Sequence, residues 1–161
     1  MTSGERGGVR HWQHGRGRGR GGRGVTVVTS YVQHKGRTVP ERYRGRKMVH
    51  EAEDGLDVWR TYSTPGYGRD LRSRVASYGT FAWWSAVASA RAPRPDVVVA
   101  SSPSLPAAAA AAALARARGA RFVLEVRDLW PDSAIAMGLV SDPRISAGSR
   151  RLESYCYRRA D

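Results

Sequence analysis

The feature that most limits the fold lies between Pro95 and Val126. There Val97-Val98-Val99-Ala100 is an unbroken apolar run, Leu105 to Arg118 is rich in alanine, and Arg121-Phe122-Val123-Leu124-Glu125-Val126 is largely apolar again. A continuous apolar run does not alternate between core and water, so the first segment predicts a strand of a parallel sheet covered on both faces. Alanine has the highest helix propensity, so the middle segment predicts a helix. Gly119 suits the position just past its end, where a left-handed backbone is needed. Strand, helix and strand in that order predict a right-handed crossover between parallel neighbours. In such folds ligands bind at the carboxyl ends of the strands.

The flanking segments extend the pattern. Val25-Thr26-Val27-Val28-Thr29 is β-branched and predicts a buried strand. Gln33 to Lys47 reads as loop, Leu56 to Tyr62 alternates as a half-buried strand, and Ser63 to Gly68 carries turn residues. A helix is expected from Asp70, its candidate cap, to Ala90, with Leu71, Val75, Tyr78, Ala82 and Val87 on one broad face. Phe81, Trp83 and Trp84 make its middle aromatic, with Arg72 and Arg74 just before them. Two roles fit: packing on a sheet, or contact with membrane headgroups, where Trp and Arg are favoured. Asp142-Pro143 predicts an N-cap followed by proline in the first turn. The helix that it opens would turn Ile145, Leu152, Tyr155 and Cys156 inward, with Arg158 and Arg159 in its last turn. The fold class expected is α/β, a Rossmann-like parallel sheet with flanking helices.

Charge divides the chain in two. Residues 1–24 hold nine of the 18 glycines and six arginines against one acid, Glu5, with no apolar periodicity. They predict a disordered Arg/Gly-rich tail before a folded part at 25–161. Three readings of the tail compete. Arg-Gly tracts can hold nucleic acid. Gly17, Gly19 and Gly22 fit a dinucleotide fingerprint, but no apolar strand precedes them. The segment can also be a mis-started or frame-slipped stretch without a role of its own. The folded part still carries 21 basic against 13 acidic residues. A single cysteine, Cys156, excludes a disulfide framework and a cysteine-built zinc site. No apolar run is long enough for a transmembrane helix, and the N-terminus has no signal-peptide core, so a cytoplasmic placement is expected. His11, His14, His34 and His50 fall in the irregular N-terminal part without a second ligand type at useful spacing, so no metal site is expected.

The loop after the last strand carries the chemistry. Arg127-Asp128-Leu129-Trp130-Pro131-Asp132-Ser133 places charged groups around one strand end. A carboxylate beside an arginine stays ionised, so Asp128 is suited to orient or deprotonate a hydroxyl. Arg127 suits a phosphate, and Trp130 offers a flat apolar surface for a sugar ring. Pro131 and Asp132 suit a helix start. The structural alternative is an Arg127–Asp128 ion pair with Trp130 packed on the sheet. Ser101-Ser102-Pro103 closes the neighbouring strand and lies at the same edge.

VTVVTS, then PDVVVASSPSLPAAAAAAALARARGARFVLEVRDLWPDSAIAMGLV, then RRLESYCYRRAD resemble the N-terminal domain of family 4 glycosyltransferases, in the WbuB-like subgroup that builds cell-surface polysaccharides. The resemblance runs from Val25 to the end, and EVRDLWPDS is its most specific part. It implies the N-terminal half of a GT-B fold, incomplete here, and retaining transfer of a sugar from a nucleotide-sugar to an acceptor hydroxyl. It implies no metal and no bound cofactor, the nucleotide-sugar donor being held by a C-terminal domain absent from these residues. It carries Asp128 over as a catalytic or acceptor-orienting group, with Ser102, Pro103, Arg127 and Trp130 as acceptor-binding. The partners implied are an acceptor sugar or lipid-linked glycan, a separate donor-domain chain, and the inner membrane face through Phe81, Trp83 and Trp84. Relatives open with a strand, a Gly-Gly loop and a helix that are missing before Val25. A hydrophobic gap in the sheet, and a chain inactive and aggregation-prone alone, are therefore expected. The alternative class is a basic nucleic-acid-binding protein acting through its tail; under the glycosyltransferase reading nucleic acid is not a partner.

Overall fold

The computed structural model describes residues 24–32, 38–65, 71–138 and 140–161, with only the backbone of Leu71 and Arg72. The Arg-Gly segment up to residue 23, the candidate cap Asp70 and the turn residues Gly66, Tyr67 and Gly68 lie outside them, as do the candidate face side chain of Leu71 and the Arg72 side chain. The elements are β1 (Thr26–Ser30), a 3₁₀ turn at Glu41–Tyr43, β2 (Met48–Glu53), β3 (Leu56–Thr61), α1 (Leu71–Arg91), β4 (Val97–Ser101), α2 (Leu105–Arg118), β5 (Arg121–Glu125), α3 (Asp132–Ala136) and α4 (Pro143–Arg159).

The strands form two sheets among the described residues. One has the order β1-β3-β2 and the other pairs β4 with β5. β1 runs parallel to β3 and β4 parallel to β5, while β2 is antiparallel to β3. The fold is therefore α/β with flanking helices, as expected, but the sheet is mixed and divided. β2 is an addition to the elements expected. Its sequence, MVHEAE, has two acids and only one β-branched residue, so propensity does not mark it. The signal lies in Asp54-Gly55, whose φ values of 52° and 78° make the turn back into β3. An Asp-Gly pair is a strong hairpin signal because both residues tolerate positive φ.

β3 buries Leu56, Val58 and Arg60 in alternation and ends on buried Thr61. Leu56 and Val58 pack with Val25 and Val27. Arg60 continues the same face and is also buried. Its charge is met from β2, where Nε donates to Glu51 Oε2 at 2.7 Å and Nη2 donates to Glu53. The Tyr43 hydroxyl donates to Glu51 as well, at 3.1 Å. Burial opposes the Arg60 charge, but the two carboxylates and the Glu51 hydrogen bond outweigh it and hold the guanidinium more firmly protonated than usual.

α1 rests on β1 and β3 and packs along α2. The apolar face expected for it is corrected: Val75 is 59% exposed, and the fully buried residue is Ala88. At about 3.6 residues per turn, Ser77, Phe81 and Ala88 fall on the inner side, while Val75, Gly79 and Trp83 fall outside. The end of α1 is tied to α2. Arg118 Nη1 donates to the Ala92 carbonyl at 2.9 Å, its Nη2 donates to Ala90, and Arg94 Nε donates to Arg118 O at 2.8 Å. These arginines satisfy carbonyls that the ends of the two helices leave open.

α2 ends on Gly119 at φ 66°, as its sequence requires. α2 and α4 cover one face of β4–β5, where Val98, Ala100, Phe122 and Leu124 meet Ala112, Ala115 and Tyr155. The expectation of cover on both faces is corrected. Val97, Val99 and Val123 point the other way and are 42%, 55% and 41% exposed. The N-cap of α4 forms as expected, with Asp142 Oδ1 accepting from the amides of Arg144 at 2.7 Å and Ile145 at 3.4 Å. Leu152, Tyr155 and Cys156 turn inward onto Leu105 and Ala108. Burial pushes the Cys156 thiol up from its ordinary pKa.

Candidate functional site

The parallel pair β4–β5 brings the two expected loops to one end. The ladder continues past β4, the Ser102 amide donating to Glu125 O at 3.0 Å. Ser102 is then nearly enclosed, at 4% exposed. Its Oγ accepts from the Arg127 amide at 2.8 Å and the Asp128 amide at 3.2 Å, and its hydroxyl donates to Asp128 O at 3.3 Å. One hydroxyl has one proton and two lone pairs, so Ser102 is fully engaged. It joins the two loops from inside and leaves the surface to its neighbours.

Arg127 and Asp128 are exposed directly above it. Trp130 is half-buried and packs on the Leu105, Ala108 and Cys156 cluster, so one part of its ring belongs to the core. Pro103 is half-buried beside Ser102. The amide of Ser133 donates to Leu129 O at 2.8 Å, which closes the turn through Trp130 and Pro131. α3 then starts at Asp132, as expected, and Asp132 pairs with Arg150 of α4 at 2.8 Å. Five residues chosen from the sequence therefore gather at one strand end: Ser102, Pro103, Arg127, Asp128 and Trp130. Two features there were not marked by the sequence. Leu129 is 70% exposed, although periodicity gives no reason to turn it rather than Trp130 outward. The Ser104 hydroxyl is buried with no partner at the start of α2.

A second polar group lies on the other sheet. His50 is in β2 and not in irregular chain as expected; the missed strand is the reason. Its ring stacks on Trp59 with centroids 4.5 Å apart, and its Nε2 pairs with Asp57. Thr26 also donates to Asp57, at 2.9 Å. Burial raises the Asp57 pKa, but the hydrogen bonds from His50 and Thr26 outweigh it, and the carboxyl titrates below its usual range. His11, His14 and His34 lie outside the described residues. Among those described, no three His, Cys, Asp or Glu side chains are grouped to hold a metal ion, and no helix is long and apolar enough to cross a membrane. A depression of about 260 Å³ lies at the amino end of β5, lined by Arg116, Phe122, Arg159 and Asp161 among others. It is at the opposite end of the strand from the Ser102 loop, where a doubly wound sheet does not place its ligands.

One family description fits the chain. The model of the glycosyl transferase 4-like domain matches residues 8–161. The chain belongs to that family. The match begins inside the Arg-Gly segment that composition sets apart at 1–24. Neither the curated proteins nor the solved structures give a match. Family membership supports a glycosyltransferase relationship and the Rossmann-like reading of the fold. The glycosyl transferase 4-like domain here thus presents its exposed charged pair on a loop that Ser102 fixes from beneath.

Proposed function

We propose that this domain is the acceptor-side half of a retaining glycosyltransferase of the polysaccharide-building, WbuB-like kind. The observation that carries the reading is the Ser102 hydroxyl holding the amides of both Arg127 and Asp128 at the carboxyl ends of β4 and β5. Fixed backbone beneath exposed charged side chains is what a binding loop needs, because positioning lowers the entropy cost of the reacting geometry. In this reading the Asp128 carboxylate accepts a hydrogen bond from the acceptor hydroxyl and orients its oxygen. Arg127 meets a phosphate of a lipid-linked acceptor, and Trp130 and Pro103 flank the sugar. The bond from the sugar C1 to the nucleotide phosphate breaks, a bond from C1 to the acceptor oxygen forms, and the hydroxyl proton leaves with the nucleotide phosphate.

The donor nucleotide-sugar is held by a separate nucleotide-binding half in this proposal, and the domain by itself transfers nothing. The test is a transfer assay over a panel of nucleotide-sugars with prenyl-diphosphate-linked sugars. The domain is assayed alone and with a donor half from the same family. Activity is expected only in the mixture, and Asp128→Asn is expected to lower it by roughly a hundredfold with the fold intact. Undiminished transfer by a mixture carrying the Asp128→Asn change refutes the assignment of Asp128. Transfer by the domain alone refutes the division of labour.

A further inference from the structure

We propose that the uncovered face of β4–β5 is a contact surface between two copies of this chain. Val98, Ala100, Phe122 and Leu124 face α2 and α4. Side chains alternate along a strand, so Val97, Val99 and Ser101 of β4 share the other face with Arg121, Val123 and Glu125 of β5. The three valines are exposed on it. The register sets Val97 beside Arg121, Val99 beside Val123 and Ser101 beside Glu125. The face thus has a valine row at its centre, a cation at one end and a carboxylate at the other.

That order is self-complementary. A two-fold axis between two facing copies, running across the strands at the Val99–Val123 row, brings Val99 and Val123 against the same residues of the second copy. Arg121 of each copy then meets Glu125 of the other, so two ion pairs flank an apolar centre. An interface of this symmetry uses one patch twice. The Arg121 side chain makes no ion pair among the described residues, so it breaks none to join the contact. The chain's own N-terminal segment is a poor cover, since residues 1–24 hold only Met1, Val9 and Trp12 as large apolar side chains. A polyanion engages Arg121 but meets the Glu125 carboxylate and gives the valines no role. The net charge of +13 opposes self-association. Salt screens that repulsion beyond about 8–10 Å, while the two ion pairs act at contact. Each strand has five residues, so the face measures about 16 Å by 10 Å. That is smaller than a standard interface, and the dimer is therefore weak and concentration-dependent.

The experiment is sedimentation of the full chain over a wide range of concentration at physiological ionic strength. A reversible monomer–dimer equilibrium is expected. Val99→Asp places two carboxylates across the axis, and Arg121→Glu places one against Glu125. Each is expected to weaken the dimer by roughly a hundredfold with native circular dichroism. Both changes lower the net positive charge, so general repulsion does not account for the weakening. Arg121→Glu combined with Glu125→Arg is expected to restore the dimer. The thiol of the Val99→Cys variant is expected to react with maleimide in dilute solution and to be protected at high concentration. A monomer at every concentration up to the solubility limit overturns the proposal. So does a dimer that Val99→Asp and Arg121→Glu leave intact, which assigns association to another face. Failure of the charge swap to restore the dimer overturns the two-fold pairing, and protection of the thiol at every concentration shows that the chain covers this face itself.

Discussion

Replacing Ser102 by alanine tests how the site is held. The change removes one acceptor for two amides, Arg127 N at 2.8 Å and Asp128 N at 3.2 Å, and one donor to Asp128 O. The position is 4% exposed, so water does not easily take the place of the hydroxyl. An orphaned buried donor costs about 1–3 kcal/mol, and hydration through the exposed Arg127 and Asp128 recovers part, leaving about 1–2 kcal/mol net. For a chain of this size each kcal/mol shifts the melting midpoint by about 2–4 °C, so a fall of about 2–8 °C is expected. Circular dichroism against temperature reads the midpoint. Amide hydrogen exchange reads the locality of the effect, which should be concentrated at residues 127 and 128. An unchanged midpoint, together with unchanged exchange at those two amides, would refute the idea that the hydroxyl fixes the loop. A global loss of protection with no excess at 127 and 128 would refute it equally, because the serine would then be acting on the core.

Arg60→Met removes a cation whose side chain is 3% exposed and leaves Glu51 and Glu53 facing each other. Breaking such a group is expected to cost about 3 kcal/mol by urea denaturation, the low end of the range because Glu51 is partly wet; adding Glu51→Leu and Glu53→Leu should recover most of it. Asp57 sets an acid limb of stability. Its folded pKa lies below the ordinary 3.8, so its ionised form favours the native state above that value, and the contribution is lost as pH falls through the folded pKa. Asp57→Asn should flatten the fall in melting midpoint between about pH 5 and pH 2; an acid limb as steep as the parent's would show that the His50 and Thr26 contacts do not matter there.

The β-α-β unit was legible because its signals are local and agree with one another. The Ala-rich segment 105–118, Gly119 at its end, Asp142-Pro143 at the next helix start and the apolar runs on either side each point to the element that forms. The candidate site was legible for the same reason: Ser102 and Arg127–Trp130 follow the two strands of a parallel pair, and parallel pairing brings strand ends together. The sequence alone thus determined the fold class, the element order over most of the chain and which residues meet at the strand ends. Tertiary structure decided what depends on neighbours distant in sequence. It made Ser102 an internal fastener, because only the β4–β5 register places its hydroxyl under the amides 127 and 128. It drew His50 and two glutamates into β2, because a weak strand is stabilised by pairing with β3 and by the buried charge of Arg60. It turned Val75 and Trp83 outward, because the side of α1 that carries Ala88 packs against β1, β3 and α2. It left Val97, Val99 and Val123 open on one face, because an apolar run records the tendency to be buried and not the presence of a partner to bury it.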